Sequence, residues 1–197
     1  MRPHIKAASI LDIDFRRLHS SGIRFVIFDK DNTLAPHLQD ELRNKAYKEK
    51  LDEVKEIFGE ANVCIYSNDF NAKQLLFEGE NYPIRFAAPG VKKPLAGDTI
   101  CMHFNQLALE ENPGVFFEGE KSAIVGDRLL SDVMQGHNLG GVSVYVEPWD
   151  LESESRKISI PRRYEQFVWK WFLDYKLEKF KNKDISDFLI SKKELED

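Results

Sequence analysis

Apolar runs alternate along the chain with amphipathic stretches, and each apolar run stops at a polar cluster. Phe25-Val26-Ile27-Phe28 gives way to Asp29, Asp31, Asn32 and Thr33. Four apolar residues with β-branched ones in the middle predict a buried strand, from about Ile23, that ends abruptly in polar chemistry. Asp40 is expected to open a helix with Leu42, Ala46, Leu51, Val54, Ile57 and Phe58 on one face and Gly59 at its end. Val63-Cys64-Ile65-Tyr66 predicts a second strand, stopped by Ser67-Asn68-Asp69. A helix over residues 72–78, ended by Gly79, and a brief strand over 84–87 lead to Pro89-Gly90 and Lys92-Lys93-Pro94. Residues 98–109 read as a helix with Ile100, Phe104, Leu107 and Ala108 inward. A fourth strand over 122–125 runs into Gly126-Asp127-Arg128, a helix covers 129–139, and Val142–Val146 is the fifth strand. Ahead of all these, Ile10, Leu11, Ile13, Phe15 and Leu18 are apolar without a clean period, and Ser20-Ser21-Gly22 predicts a turn.

Strands separated by helices predict an α/β fold, a Rossmann-like parallel sheet with helices on both faces. Ligands bind such sheets beyond the carboxyl ends of the strands, where every polar cluster above falls. At 197 residues the chain suits one domain. We expect it over residues 1–150, with a catalytic core over 23–146 and a helical extension with a charged tail over 151–197. A net charge of −5 gives no reason to expect nucleic acid as a partner. Cys64 and Cys101 lack metal-site spacing and read as small core residues. No apolar run reaches the roughly 18 residues a membrane span needs, so no transmembrane segment is expected. The first residues mix Arg2, Lys6, Arg16 and Arg17 with Asp12 and Asp14, unlike an acid-poor cleavable presequence.

Carboxylates at the end of a buried strand are costly to desolvate unless they face positive charge. Hydrated Mg²⁺ suits Asp29 and Asp31, since it is held by one or two carboxylates plus substrate phosphate. The alternative is that Asp, Asn and Thr simply cap a following helix. Lys30, between the two acids on an extended backbone, is expected to point the opposite way and take no catalytic part. His4, His19, His37, His103 and His137 share no spacing and are read as non-functional.

Four clusters on one rim settle the comparison. Asp29-Lys30-Asp31-Asn32-Thr33, then Ser67, then Lys93 before Pro94, then Gly126-Asp127-Arg128-Leu129-Leu130-Ser131-Asp132 together resemble the four motifs of the haloacid dehalogenase (HAD) superfamily of phosphohydrolases. The resemblance implies Asp29 as a nucleophile that becomes an aspartyl-phosphate and Asp31 as the acid and base. It implies Mg²⁺ on Asp29, the backbone carbonyl of Asp31, and Asp127. Ser67, Asn68 and Lys93 would bind the substrate phosphate, with the Ser67 loop at a helix N-terminus; Lys92 is the competing lysine. Thr33 would orient Asp29, and Asp132 would support Lys93 or the metal's waters. Such a division of labour fits a reaction that is mostly positioning and charge neutralisation.

The intervals from Asp29 to Ser67 and from Ser67 to Lys93 each have room for one helix and one strand, so no cap domain is expected and the rim is open to large substrates. Asp-Lys-Asp-Asn-Thr-Leu, Lys-Lys-Pro and Gly-Asp-Arg-Leu-Leu-Ser-Asp-Val resemble the mitochondrial phosphatidylglycerophosphate phosphatase subfamily. That implies removal of the terminal phosphate of phosphatidylglycerophosphate to give phosphatidylglycerol, on the way to cardiolipin. It also implies an anionic phospholipid substrate at a membrane surface and a peripheral position on the matrix face of the inner mitochondrial membrane. The extension interleaves Arg162, Arg163, Lys170, Lys176, Lys179, Lys181 and Lys183 with Tyr164, Phe167, Trp169, Trp171, Phe172, Tyr175 and Phe180. Cations mixed with aromatics describe an interfacial helix on anionic lipid. Equally, Tyr164, Val168, Trp171 and Tyr175 form a stripe able to dock on the sheet. Two other readings stay open, a phosphatase of a soluble ester or phosphoprotein and a non-catalytic phosphate-binding scaffold.

Overall fold

Alternation along each strand decides which helix it meets. The computed structural model describes residues 2–87, 91–111, 114–149, 160–165 and 167. Its strands are β1 (Ile5–Ala7), β2 (Phe25–Phe28), β3 (Val63–Ile65), β4 (Leu76–Phe77), β5 (Glu80–Asn81), β6 (Arg85–Phe86), β7 (Ser122–Gly126) and β8 (Val142–Val146). Six of them form one parallel sheet in the order β1-β8-β7-β2-β3-β6, while β4 and β5 pair antiparallel apart from it.

The longer helices are α1 (Phe15–Ser20), α2 (Lys45–Phe58), α3 (Gly97–Glu111) and α4 (Met134–Asn138). On one face of the sheet Val26, Phe28, Val63, Ile65, Ala123 and Val125 pack with Phe15 and Leu18 of α1 and with Leu51 and Val54 of α2. On the other face Phe25, Ile27, Cys64 and Ile124 pack with Ile100 and Phe104 of α3. The two-residue period of the strands splits one apolar run between two cores. Each fully buried Val, Ile or Phe among them contributes ~1.5–3 kcal/mol of transfer free energy.

β2 lies between β7 and β3, and Phe28 is in register with Val125 on one side and Ile65 on the other. All three strands therefore end at one level, and the residues that follow them share a rim. The Asp29 N–H donates to the Val125 carbonyl at 2.8 Å and the Tyr66 N–H to the Phe28 carbonyl at 2.9 Å, which carries the register one residue past the strands.

Several elements differ from the sequence expectation. The sheet gains an edge strand, β1, paired with β8, so it begins well before Ile23. The unpatterned apolar residues behind it fill the core through a short turn and α1, started by a capping box between Ser9 and Asp12 and by the Asp14 side chain. α2 starts at its Asn44 cap rather than at Asp40. Residues 72–78 do not form a helix: Glu78 and Gly79 both have positive φ, 53° and 80°. Two such residues in succession make the turn of a tight hairpin, here joining β4 to β5. The hairpin is held by Leu42 N–H to the Leu76 carbonyl and Leu76 N–H to the Asp40 carbonyl, which explains why Asp40 is not free to cap. The helix expected over 129–139 is a wide π-type turn at Leu129–Val133 followed by α4.

Candidate active site

The chain turns as soon as it leaves β2. Asn32 sits at φ 60°, a conformation Asn tolerates better than most residues, and its N–H donates to the Ala35 carbonyl. Leu34 and Ala35 N–H groups close back on the Lys30 carbonyl. The fold of this loop leaves Asp29 buried at the strand end and sets Asp31 at its edge, where Asp31 Oδ1 accepts the Leu38 N–H at 3.0 Å. Lys30 does not leave the neighbourhood as an extended backbone would require. Its buried Nζ lies 3.2 Å from Asp31 Oδ1 and 3.0 Å from Asp40 Oδ1, and donates to the Gln39 carbonyl. It therefore holds Asp31 and the loop behind it together.

Of the two adjacent lysines, Lys93 is buried and Lys92 exposed. Lys93 Nζ lies 2.5 Å from Asp29 Oδ1 and 2.6 Å from Asp132 Oδ1. Its backbone N–H donates to Asn68 Oδ1 at 2.8 Å, so a side chain from the end of β3 fixes the lysine loop. Ser67 is buried beside it and its Oγ accepts the Asp69 N–H at 3.1 Å. No helix starts there; the segment after Ser67 is a turn leading to the hairpin, so any anion would meet loop amides and not a helix N-terminus. Thr33 is buried, and its Oγ1 makes no hydrogen bond among the described residues; it does not tie down Asp29.

Asp127 follows β7, and Asp132 comes back over the same strand. A Cβ at Gly126 would collide with the Asp132 carboxylate, so only glycine lets this acid reach Lys93. Asp132 is wholly buried and also accepts the Arg128 N–H at 3.1 Å and the Ser131 hydroxyl at 3.2 Å. Ligand oxygens of Asp29, Asp127 and Asp132 lie within 4.8 Å of one another. An all-oxygen set of this kind suits a hard cation such as Mg²⁺. The Asp31 carboxylate is not a member of that cluster.

Two residues reach the site that the sequence pattern does not single out. Arg162, 4% exposed, stands in the helical segment 160–165, where its Nη1 donates to the Asp127 backbone carbonyl at 3.0 Å and lies 2.7 Å from Asp127 Oδ2. One turn on, buried Glu165 pairs with Arg128 at 3.2 Å. The aromatic stripe expected to dock does not begin as predicted, since Tyr164 is 67% exposed. Arg163 and Phe167 are exposed as well, while Val168, Trp171 and Tyr175 and the cations and aromatics after Phe167 lie outside the described residues. His37 is the second such residue; it lines the pocket with its buried Nε2 unpartnered among the described residues. Nothing in the sequence marks Arg162, whereas His37 follows directly on the first acidic loop.

Burial lifts the Asp29 carboxyl to about 7, with Asp132 and Asp31 pushing the same way and Lys93 opposing. Burial likewise raises Asp127 well above the ordinary carboxylate range, against the pull of Arg162. Lys93 is held above its usual value: burial disfavours its charge, but Asp132 and Asp29 outweigh that. The result is a lasting ammonium beside carboxyls that need positive charge to stay ionised. An open pocket lies over them, lined also by Asp31, Leu38, Asn68, Asp69, Lys92, Arg128 and Ser131.

A parallel sheet that brings acids from the ends of two neighbouring strands to one buried lysine is consistent with the haloacid dehalogenase superfamily. Within it, the chain belongs to the family described as mitochondrial PGP phosphatase, whose model matches residues 1–148. It is 32% identical over 177 residues to phosphatidylglycerophosphate phosphatase 1, chloroplastic, of Chlamydomonas reinhardtii, covering 86% of this chain and 61% of that protein. It is 28% identical over 200 residues to phosphatidylglycerophosphate phosphatase 1, chloroplastic/mitochondrial, of Arabidopsis thaliana, covering 94% of this chain and 52% of that one. The chain thus spans between about half and three fifths of the length of these relatives. No solved structure matches it significantly.

Proposed function

We propose that this chain is a Mg²⁺-dependent phosphomonoesterase that removes the terminal phosphate of phosphatidylglycerophosphate through an aspartyl-phosphate, leaving phosphatidylglycerol on the route to cardiolipin. The family match and the names of the two relatives support the substrate. The observation that carries the chemistry is Lys93, buried between Asp29 and Asp132, with Asp127 within ligand distance of both acids.

In this reading an Asp29 oxygen attacks phosphorus, and the bond from phosphorus to the glycerol oxygen breaks. Asp31, at the pocket edge, gives its proton to the departing alcohol; it then takes one from the water that attacks phosphorus and frees Asp29 and inorganic phosphate. Lys93, Ser67 and the loop amides hold the phosphoryl oxygens, and Asn68 acts by holding Lys93. Asp29, Asp127 and the Asp31 carbonyl would hold Mg²⁺, and Asp132 would keep Lys93 in place. Bound there, Mg²⁺ would offset phosphoryl charge and favour the ionised form of Asp29. The proposed setting is the matrix face of the inner mitochondrial membrane.

The test is phosphate release from phosphatidylglycerophosphate and from soluble esters, with Mg²⁺ and with EDTA. Release is expected with Mg²⁺ only, and Asp29→Asn is expected to abolish it while keeping the parent's circular dichroism. Hydrolysis retained in Asp29→Asn would rule out the covalent route. Soluble esters turned over as well as the lipid would remove the lipid assignment.

A further inference from the structure

Large apolar side chains normally lie scattered over a protein surface, and a contiguous exposed set marks an interaction site. Of the thirteen exposed large apolar side chains among the described residues, six lie in or next to the segments that line the catalytic pocket. Leu38 lines it. Phe70, Val91, Leu130, Ile160 and Tyr164 each stand within two residues of a side chain that does, and all six are between 46% and 67% exposed. They come from separate loops, after β2, after β3, before Lys93, after β7 and from segment 160–165, so no single amphipathic element accounts for them.

We infer that this rim is a docking face for an anionic phospholipid bilayer, with Phe70, Leu130 and Tyr164 entering the acyl boundary around the pocket. The charge on the rim selects that partner. Lys92 stands over the Phe70 ring at 5.2 Å, and Arg163 is exposed beside Tyr164. Asp69 at the same mouth accepts the exposed Asn71 N–H. Cations set among exposed aromatics bind anionic interfaces, although the chain as a whole carries a net charge of −5. Segment 160–165 adds a reason for the mouth to meet the bilayer directly. Its inner side puts Arg162 on Asp127 and Glu165 on Arg128, and its outer side presents Ile160, Arg163 and Tyr164 at helical spacing. Pocket wall and docking face are two sides of the same turn, and a phosphate borne on a lipid enters without leaving the bilayer.

This inference rests on the lipid-phosphate reading for its purpose, and the experiment lets the two fail separately. The full chain is floated with phosphatidylglycerol/phosphatidylcholine vesicles and with phosphatidylcholine alone, and thermal unfolding of each variant reports its fold. The parent is expected to float with the anionic vesicles only. Phe70→Ser with Leu130→Ser is expected to weaken flotation by about tenfold or more, from the apolar area withdrawn. Tyr164→Ser, on a different element, gives an independent reading of the same loss. The comparison is Phe116→Ser, at 58% exposure in the loop that leads into the N-terminal end of β7, opposite the strand ends that carry the rim, expected to float as the parent does. Flotation unchanged in both rim variants, lost equally in Phe116→Ser, or absent in the parent would overturn the inference. Rim-dependent flotation without hydrolysis of phosphatidylglycerophosphate would uphold the docking face and sink the substrate.

Discussion

Asp127 and Arg162 show how far one residue's charge can depend on another. A carboxylate almost fully removed from water is tolerable only with a cation beside it, and here the cation arrives from 35 positions downstream. Removing one partner of a buried pair leaves the other uncompensated, at a cost of about 3–5 kcal/mol in a closed core. The pocket opens to solvent on this side, so Arg162→Gln is expected to cost about 2–3 kcal/mol, read as a lower urea midpoint at unchanged slope. A midpoint equal to the parent's would mean that Asp127 does not need the guanidinium. The contrast with Asp29, Lys93 and Asp132 is instructive. Those residues could be picked from the sequence because each sits at a strand end or at short spacing from one, and local spacing survives folding. Arg162 lies in a run of cations where nothing local distinguishes it from Arg163.

At the scale of elements, the instructive case is the stretch after Ser67. Gly79 suits the end of a helix and the second position of a hairpin turn equally well, since both need positive φ. What decides is long-range: Leu75 and Tyr82 flank the hairpin and are buried in the core beside α2. Tyr82 also donates to Asp52 Oδ1 of α2 at 2.5 Å, and Lys48 lies 2.7 Å from Asp52 Oδ2. Partial burial would raise the Asp52 carboxyl, but the hydrogen bonds from Lys48 and Tyr82 outweigh it and hold it below its ordinary 3.8. A carboxyl whose folded value is depressed stabilises the fold above its unfolded value, and loses that contribution as pH falls through the folded one. The Tm difference between the parent and Asp52→Asn is therefore expected to be level above about pH 5 and to close as pH falls below about 4. A gap that widens in acid would contradict the assignment.

For the whole molecule, the parallel register concentrates three buried carboxylates and one buried ammonium at a single rim. Such a rim stores unfavourable charge that the proposed Mg²⁺ would relieve, so on that proposal folding and metal binding are linked. With Mg²⁺ at a hundredfold excess over its Kd, linkage adds about 2.7 kcal/mol, seen as a rise in Tm that EDTA reverses. Asp127→Asn is expected to lose most of that rise, and an equal rise in the variant would take Asp127 out of the proposed metal site.

Strand-by-strand hydrophobic runs, each closed by polar residues, were enough to establish an α/β sheet and to place Asp29, Ser67 and Asp127 just past strand ends, with Lys93 in the loop after β6, because strand periodicity and motif spacing are local properties of the chain. The place before Pro94 favours Lys93 over Lys92 in the sequence, and burial of Lys93 beside an exposed Lys92 bears that preference out. Tertiary structure alone decided the rest. The edge strand β1 is three residues long and has meaning only against β8. Arg162 comes from a segment far along the chain from the four motifs, and only packing brings it to Asp127.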